Sequence, residues 1–211
     1  ETQLISGTPG DDFLFAGAPD SQFDGINDIV FLGSGNDEVD LRLVVSPIAG
    51  NNRIDLGSGD DVIFLNKNDR VFGGSGDDIF DAAYGQGGNR ISGGAGDDIF
   101  FLGSGDRILG DHGNDQFYVQ SGGDNQISGG EGQDQFWIVS NELPQSANTI
   151  LDFEIGRDVI GILGSTGLGI SADTLSLNVL NGNTEIAFGD HTLAILNGVT
   201  GIDTNTSFVF A

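Results

Sequence analysis

Apolar and polar residues alternate in short runs along the first two thirds of the chain, and glycine, asparagine or aspartate bounds each run. Period-two alternation of this kind predicts short strands with one buried face. Two inward-facing sets follow. One comprises Leu14/Ala16, Val39/Leu41, Ile63/Leu65, Phe80/Ala82, Phe100/Leu102, Phe117/Val119 and Phe136/Ile138. The other comprises Val30, Ile54, Val71, Ile91, Ile108 and Ile127. Most of the 15 phenylalanines are therefore core, and they imply no cofactor.

The runs recur in phase. Seven nine-residue segments begin at residues 7, 32, 56, 73, 93, 110 and 129, among them LGSGDDVIF, GGSGDDIFD and GGAGDDIFF. Each has glycine fourth, aspartate sixth and an apolar residue eighth. A thinner series lies between them, carrying Asp28, Asn52, Asp69, Asn89, Asp106 and Asn125 two residues before an apolar position. One rung thus holds a full loop, a short strand, a thin turn and another short strand. Repetition at this period predicts an all-β parallel solenoid.

Composition sharpens the picture. Thirty-six glycines disfavour helix, because each costs backbone entropy there. With 32 acidic and 7 basic residues the formal charge is −25, which argues against nucleic acid or anionic lipid as partner and calls for cations. No cysteine is present, so disulfides and thiolate metal sites are excluded. No apolar run is long enough to span a membrane. The chain starts at Glu1 and contains no methionine, as expected of a trimmed or processed piece.

The segments resemble the RTX (repeats-in-toxin) nonapeptide G-G-x-G-x-D-x-U-x, over roughly residues 7 to 138. That resemblance implies a right-handed β-roll, secreted or displayed at the cell surface, exported unfolded and folded by calcium outside. It implies metal ligation at Gly10 and Asp12; at Gly33, Gly35 and Asp37; and at Gly57, Gly59 and Asp61. The set continues with Gly74, Gly76 and Asp78; Gly94, Gly96 and Asp98; Gly113 and Asp115; and Gly130, Gly132 and Asp134. The chemistry suits the spacing. Calcium takes six to eight oxygens at about 2.3–2.6 Å, and glycine at positive φ can aim carbonyls at one point. Rungs stacked about 4.8 Å apart let neighbouring loops share an ion. Seven loops leave six gaps, so about six Ca²⁺ in one row are expected. Because the thin turns alternate Asp with neutral Asn and offer fewer carbonyls, calcium is expected along one edge only.

Two outward rows are candidates for contact. The ninth positions read Phe15, Asp40, Phe64, Asp81, Phe101, Tyr118 and Trp137, either covered by another part of the chain or a platform for a protein or polysaccharide partner. Arg53, Arg70, Arg90 and Arg107 stack just before the inward residue of the thin repeats. They are expected to pair with carboxylates such as Asp55, with a groove for an anionic polymer as the alternative.

The pattern changes near residue 140, which divides the chain into a repeat region, 1–140, and a β-rich cap, 141–211. The stretch NTILDFEIGRDVIGI resembles the I-x-D-F-x-x-G-x-D-x-I that follows the repeats in many RTX proteins. Strands are expected at Leu175–Leu180, Thr184–Phe188 and His191–Leu196. The apolar end, Ser207 to Ala211, is similar to the C-termini of type I secretion substrates.

With only His112 and His191, and no nucleophile elbow or zinc-helix motif, no catalytic constellation is visible. The reading is a calcium-folded structural or interaction module. Its alternative is the C-terminal folding module of a larger secreted enzyme. An ice-binding solenoid is disfavoured, because loop positions three and five mix Pro9, Asp11, Ala95, His112 and Glu131 into an uneven, charged row.

Overall fold

The computed structural model describes residues 2–19, 22–44, 46, 48–120 and 122–211. Two sheets face each other across one core. The first has eleven strands: Leu4–Ser6, Ile29–Ser34, Arg53–Ser58, Arg70–Ser75, Arg90–Ala95, Arg107–His112, Gln126–Glu131, Asn148–Ile150, then His191–Leu196, Asn183–Phe188 and Leu175–Leu180. The second has nine: Phe13–Phe15, Glu38–Asp40, Val62–Phe64, Ile79–Asp81, Ile99–Leu102, Gln116–Val119, Gln135–Ser140, Val159–Leu163 and Phe208–Phe210. The chain passes from one sheet to the other and back, and pairs each strand parallel with that of the preceding turn. This is an all-β parallel solenoid. Among the described residues only the hairpins of 175–196 run antiparallel.

Both inward sets lie in the core, with Leu14 of the first rung half-buried. A third inward position emerges at the first residue of each loop, where Leu32 and Leu56 are buried. Where this residue is leucine, the eighth position is Val39 or Ile63. Where it is Gly73, Gly93, Gly110 or Gly129, the eighth position is Phe80, Phe100, Phe117 or Phe136. A methyl group on Gly73 would come within 2.8 Å of the Phe80 ring, so the two sites share one volume. The four rings stack at 4.9, 4.8 and 5.1 Å with 7° between planes. That repeat is the strand spacing itself, and each such pair contributes about 0.5–1.5 kcal/mol beyond burial.

Both sheets continue past residue 140. Asn148–Ile150 pairs with Gln126–Glu131, and Val159–Leu163 with Gln135–Ser140. Ile150 and Ile160 extend the two core columns. Asp152 accepts hydrogen bonds from the Gly129 and Gly130 amides, 2.9 and 3.1 Å, standing in for backbone where the short strand has ended. The C-terminal end is closed by the antiparallel strands, turned through Asn181 and Gly182 at φ 53° and 82°. The N-terminal end leaves Leu4 and Phe13 72% and 63% exposed.

Candidate calcium edge

Each full loop joins a first-sheet strand to the next second-sheet strand, so all full loops stack on one edge. Two columns of side chains hold the stack. In the inner column the amide of each sixth-position Asp donates to Oδ1 of the same residue one rung on: Asp12 to Asp37, Asp37 to Asp61, Asp61 to Asp78, Asp78 to Asp98, Asp98 to Asp115 and Asp115 to Asp134, at 2.7–2.9 Å. Asp134 donates in turn to Asp158 at 3.2 Å. The outer column, at position five, runs the other way. The Asn36, Asp60, Asp77, Asp97, Asn114 and Gln133 amides each donate to the side chain of the preceding rung.

These ladders use one oxygen of each inner carboxylate. The second is buried and unpartnered in six consecutive loops, at Oδ2 of Asp37, Asp61, Asp78, Asp98, Asp115 and Asp134. A methyl group on Gly110 would lie 2.0 Å from Asp115 Oδ2 and 2.4 Å from the Gly129 carbonyl oxygen, so a carboxylate and the next rung's carbonyl converge on that space. Six buried anionic oxygens without partners are untenable in a bare chain. Burial, with help from neighbouring carboxylates, pushes Asp61 and Asp134 up to about 6, Asp78 and Asp115 to about 7 and Asp98 to about 8. A hard cation would supply what each oxygen lacks. No three His, Asp or Glu side chains gather into a metal cluster among the described residues. An ion here would therefore take few carboxylates and several backbone carbonyls, a donor set that suits calcium.

The opposite edge repeats the ladder with different charge. Amides of Asp28, Asn52, Asp69, Asn89, Asp106 and Asn125 donate to the side chain one rung on, ending at Asn148. Asp28 Oδ2 and Asp69 Oδ2 accept the Gly25 and Asn66 amides of their own turns. Asn52 and Asn125 spend their NH₂ groups on the Gly25 and Gly103 carbonyls. One carboxylate oxygen on this edge, Asp106 Oδ2, is buried without a partner.

The glycines expected to shape the loops adopt φ of 97–149° from Gly33 through Gly132, the exception being Gly10 of the first loop, which has no positive φ. An eighth loop, 153–161, escaped the sequence reading because Phe153 and Glu154 replace its paired glycines. Its signal was the I-x-D-F-x-x-G-x-D-x-I stretch itself, whose second aspartate is Asp158 in the ladder and whose first is Asp152.

The arginine row stands in register on the outer face of the first sheet. Its expected pairing with Asp55 is corrected. Among the described residues none of the four meets a carboxylate in an ion pair. Phe72, the register partner of Asp55 one rung on, takes the guanidinium groups instead. The Arg53 and Arg70 guanidinium groups lie 5.3 and 5.1 Å from the Phe72 centroid. Arg107 donates to Gln126 Oε1 at 2.8 Å. In the aromatic row, Phe101, Tyr118 and Trp137 stack on one another at 5.4 and 5.8 Å and are half-buried, with Gly161 backed against the Trp137 ring. His112 Nε2 lies 4.0 Å from Glu131, both exposed.

The family model for the RTX calcium-binding nonapeptide repeat matches residues 3–18, 27–40, 49–67, 65–83, 85–109 and 121–137. It passes over the sixth loop, where Asp111 and His112 replace the usual small residues. No curated protein matches the chain. Among the described residues no helix is long and apolar enough to cross a membrane.

Proposed function

Because the chain belongs to the family of RTX calcium-binding nonapeptide repeats, we propose that it is an extracellular module that folds on a single row of six calcium ions. The six buried, unpartnered Oδ2 atoms carry this reading. When bound, the ions supply positive charge and a coordination shell to the loop edge. The chain's own residues do the rest. Oδ1 of each inner aspartate aligns the neighbouring rung, Oδ2 faces the ion, and the stacked phenylalanines fix the spacing between loops. Six divalent ions would offset roughly half of the −25 charge, which otherwise opposes a compact state. In a calcium-poor cytoplasm the chain would stay unfolded and exportable. The test is circular dichroism with and without chelator at neutral pH. Strand signal should be lost on chelation and restored by millimolar calcium; identical strand-rich spectra would sink the proposal.

The module serves structure and contact rather than catalysis. Turnover of peptide, ester or glycan substrates by the isolated calcium-loaded chain, abolished by one substitution, would overturn that.

The unpaired arginines favour a contact role as well. A shallow groove of about 300 Å³ beside them is lined by Arg70, Arg90, Arg107, Phe72, Leu109 and Leu151. One cation per strand spacing over an apolar floor suits an extended polymer with one carboxylate per sugar, such as a polyuronate. Calorimetry with an oligouronate should show binding to the calcium-loaded chain that is lost in Arg90→Ala/Arg107→Ala. Equal binding by the variant refutes this groove as the site.

A further inference from the structure

The inner aspartates of loops one and eight differ from the six between them. Asp12 Oδ2 accepts the Thr8 amide at 2.6 Å, and Asp158 Oδ2 accepts the Glu154 amide at 2.8 Å. Thr8 and Glu154 occupy the second position of their loops, and neither has positive φ. In the six intervening loops the second position is always left-handed: φ is 97–118° at Gly33, Gly57, Gly74, Gly94 and Gly130, and 79° at Asp111. There the second amide makes no bond to the carboxylate, and Oδ2 is left bare. Asp111 separates residue type from conformation. It is not glycine, its backbone is left-handed all the same, and Asp115 Oδ2 remains bare. Aspartate is among the few side chains that tolerate this region.

The row's C-terminal end carries a second device. A methyl group on each fourth-position glycine from Gly59 to Gly132 would lie 1.6–2.0 Å from the carbonyl oxygen of its counterpart one rung back, so those carbonyls point forward across each gap. Gly156 of the eighth loop stacks on nothing within 4 Å. In its place the Arg157 side chain reaches back, and its Nε donates to the Gly132 carbonyl while Nη1 holds Glu154 at 2.9 Å. The guanidinium thus brings the protein's own cation to the C-terminal end of the row.

We infer that the backbone of the second loop residue decides which rungs take an ion. A left-handed residue bares the carboxylate oxygen for calcium. Thr8 and Glu154 close it with their own amides, so the row stops at the six carboxylates between them. This rests on the calcium reading above, and the experiment separates the two.

Calcium per folded chain is counted by native mass spectrometry, with folding checked by circular dichroism. Wild type should hold six ions, Glu154→Gly/Arg157→Gly seven. Asp111→Thr, whose β-branched side chain resists positive φ, should hold five, and Asp111→Gly six. The Asp111 pair keeps the idea testable if the double variant fails to fold. Six ions in folded Asp111→Thr, or six in the folded double variant, would overturn the inference while leaving the calcium reading intact. A folded wild type with no calcium would overturn both.

Discussion

Along the loop edge eight carboxylates follow one another without interruption, from Asp12 to Asp158, whereas the turn edge reads Asp28, Asn52, Asp69, Asn89, Asp106, Asn125, Asn148. The hydrogen-bond ladder is the same on both, an amide to a side-chain oxygen one rung on. Stacking therefore needs only a short polar side chain, and asparagine serves as well as aspartate. What differs is the neighbour. No two carboxylates are adjacent on the turn edge, and most of the second oxygens or NH₂ groups find backbone partners there. Repeating aspartate on every rung, and turning the second amide away, makes sense only if something positive joins the loop edge.

The sharpest way to break this comparison is to remove one side chain from each edge. Asp78→Ala should lose at least one bound ion and weaken calcium-driven folding roughly 10- to 100-fold, the scale of a charge-assisted contact of about 1.5–3 kcal/mol. Asn89→Ala removes the acceptor of the Asp69 amide and should cost about 1–3 kcal/mol, with the ion count unchanged. Ion counting and calcium titration would read both. Equal loss of ions from the two variants would abolish the distinction between edges.

Acid offers a second, intermediate effect. Burial raises the folded values of Asp61, Asp78, Asp98, Asp115 and Asp134 from the usual 3.8 to about 6–8, so protonation favours the calcium-free fold. Their contribution is complete below about pH 4 and is lost as pH rises towards 8. In chelator, strand signal should therefore be strongest near pH 4–5 and gone by pH 8. Calcium, which competes with those protons, should bind more tightly across the same rise. A calcium-free fold that strengthened from pH 5 to 8 would contradict the cause assigned to the shifts.

The smallest effect tests the alternation. Asn52→Asp would set a carboxylate between Asp28 and Asp69 and forfeit the bonds of the Asn52 NH₂ group. A loss of about 1–3 kcal/mol at pH 7.5 is expected, reduced in acid and without an extra ion. Chemical denaturation at two pH values would measure it; a stable variant with one more calcium would show that the turn edge can also host metal.

Much of this architecture was legible from the repeats, because a solenoid writes its core once per turn. The inward columns, the cap strands at Leu175–Leu180 and His191–Leu196, and the loop aspartates all stand where alternation and spacing put them. The first loop position was hidden because glycine has no hydropathy to read. Only the reciprocal pairing of Leu56 with Ile63, and of Gly73 with Phe80, betrays that it faces the core. The closed ends of the row were invisible for a related reason, since the fate of one amide at Thr8 or Glu154 depends on φ rather than on side-chain chemistry. The ring that takes Arg53 was not legible because Phe72 lies on the next strand, and only the register brings it beside the arginines.

The opposed running of the two columns gives assembly a direction. A rung arriving on the N-terminal side of a partial stack finds a buried carboxylate already waiting for its sixth amide, as Asp134 finds Asp158. One arriving on the other side must bring that carboxylate itself to a waiting amide, and for its own fifth amide finds the solvent-facing column. The finished C-terminal region is thus a template, and the rungs should be laid down in reverse order of synthesis, those made first locking last. Pulse-labelled amide exchange would register this as protection reaching Val159 early and Phe13 late; the opposite order would mean that growth follows the outer column instead.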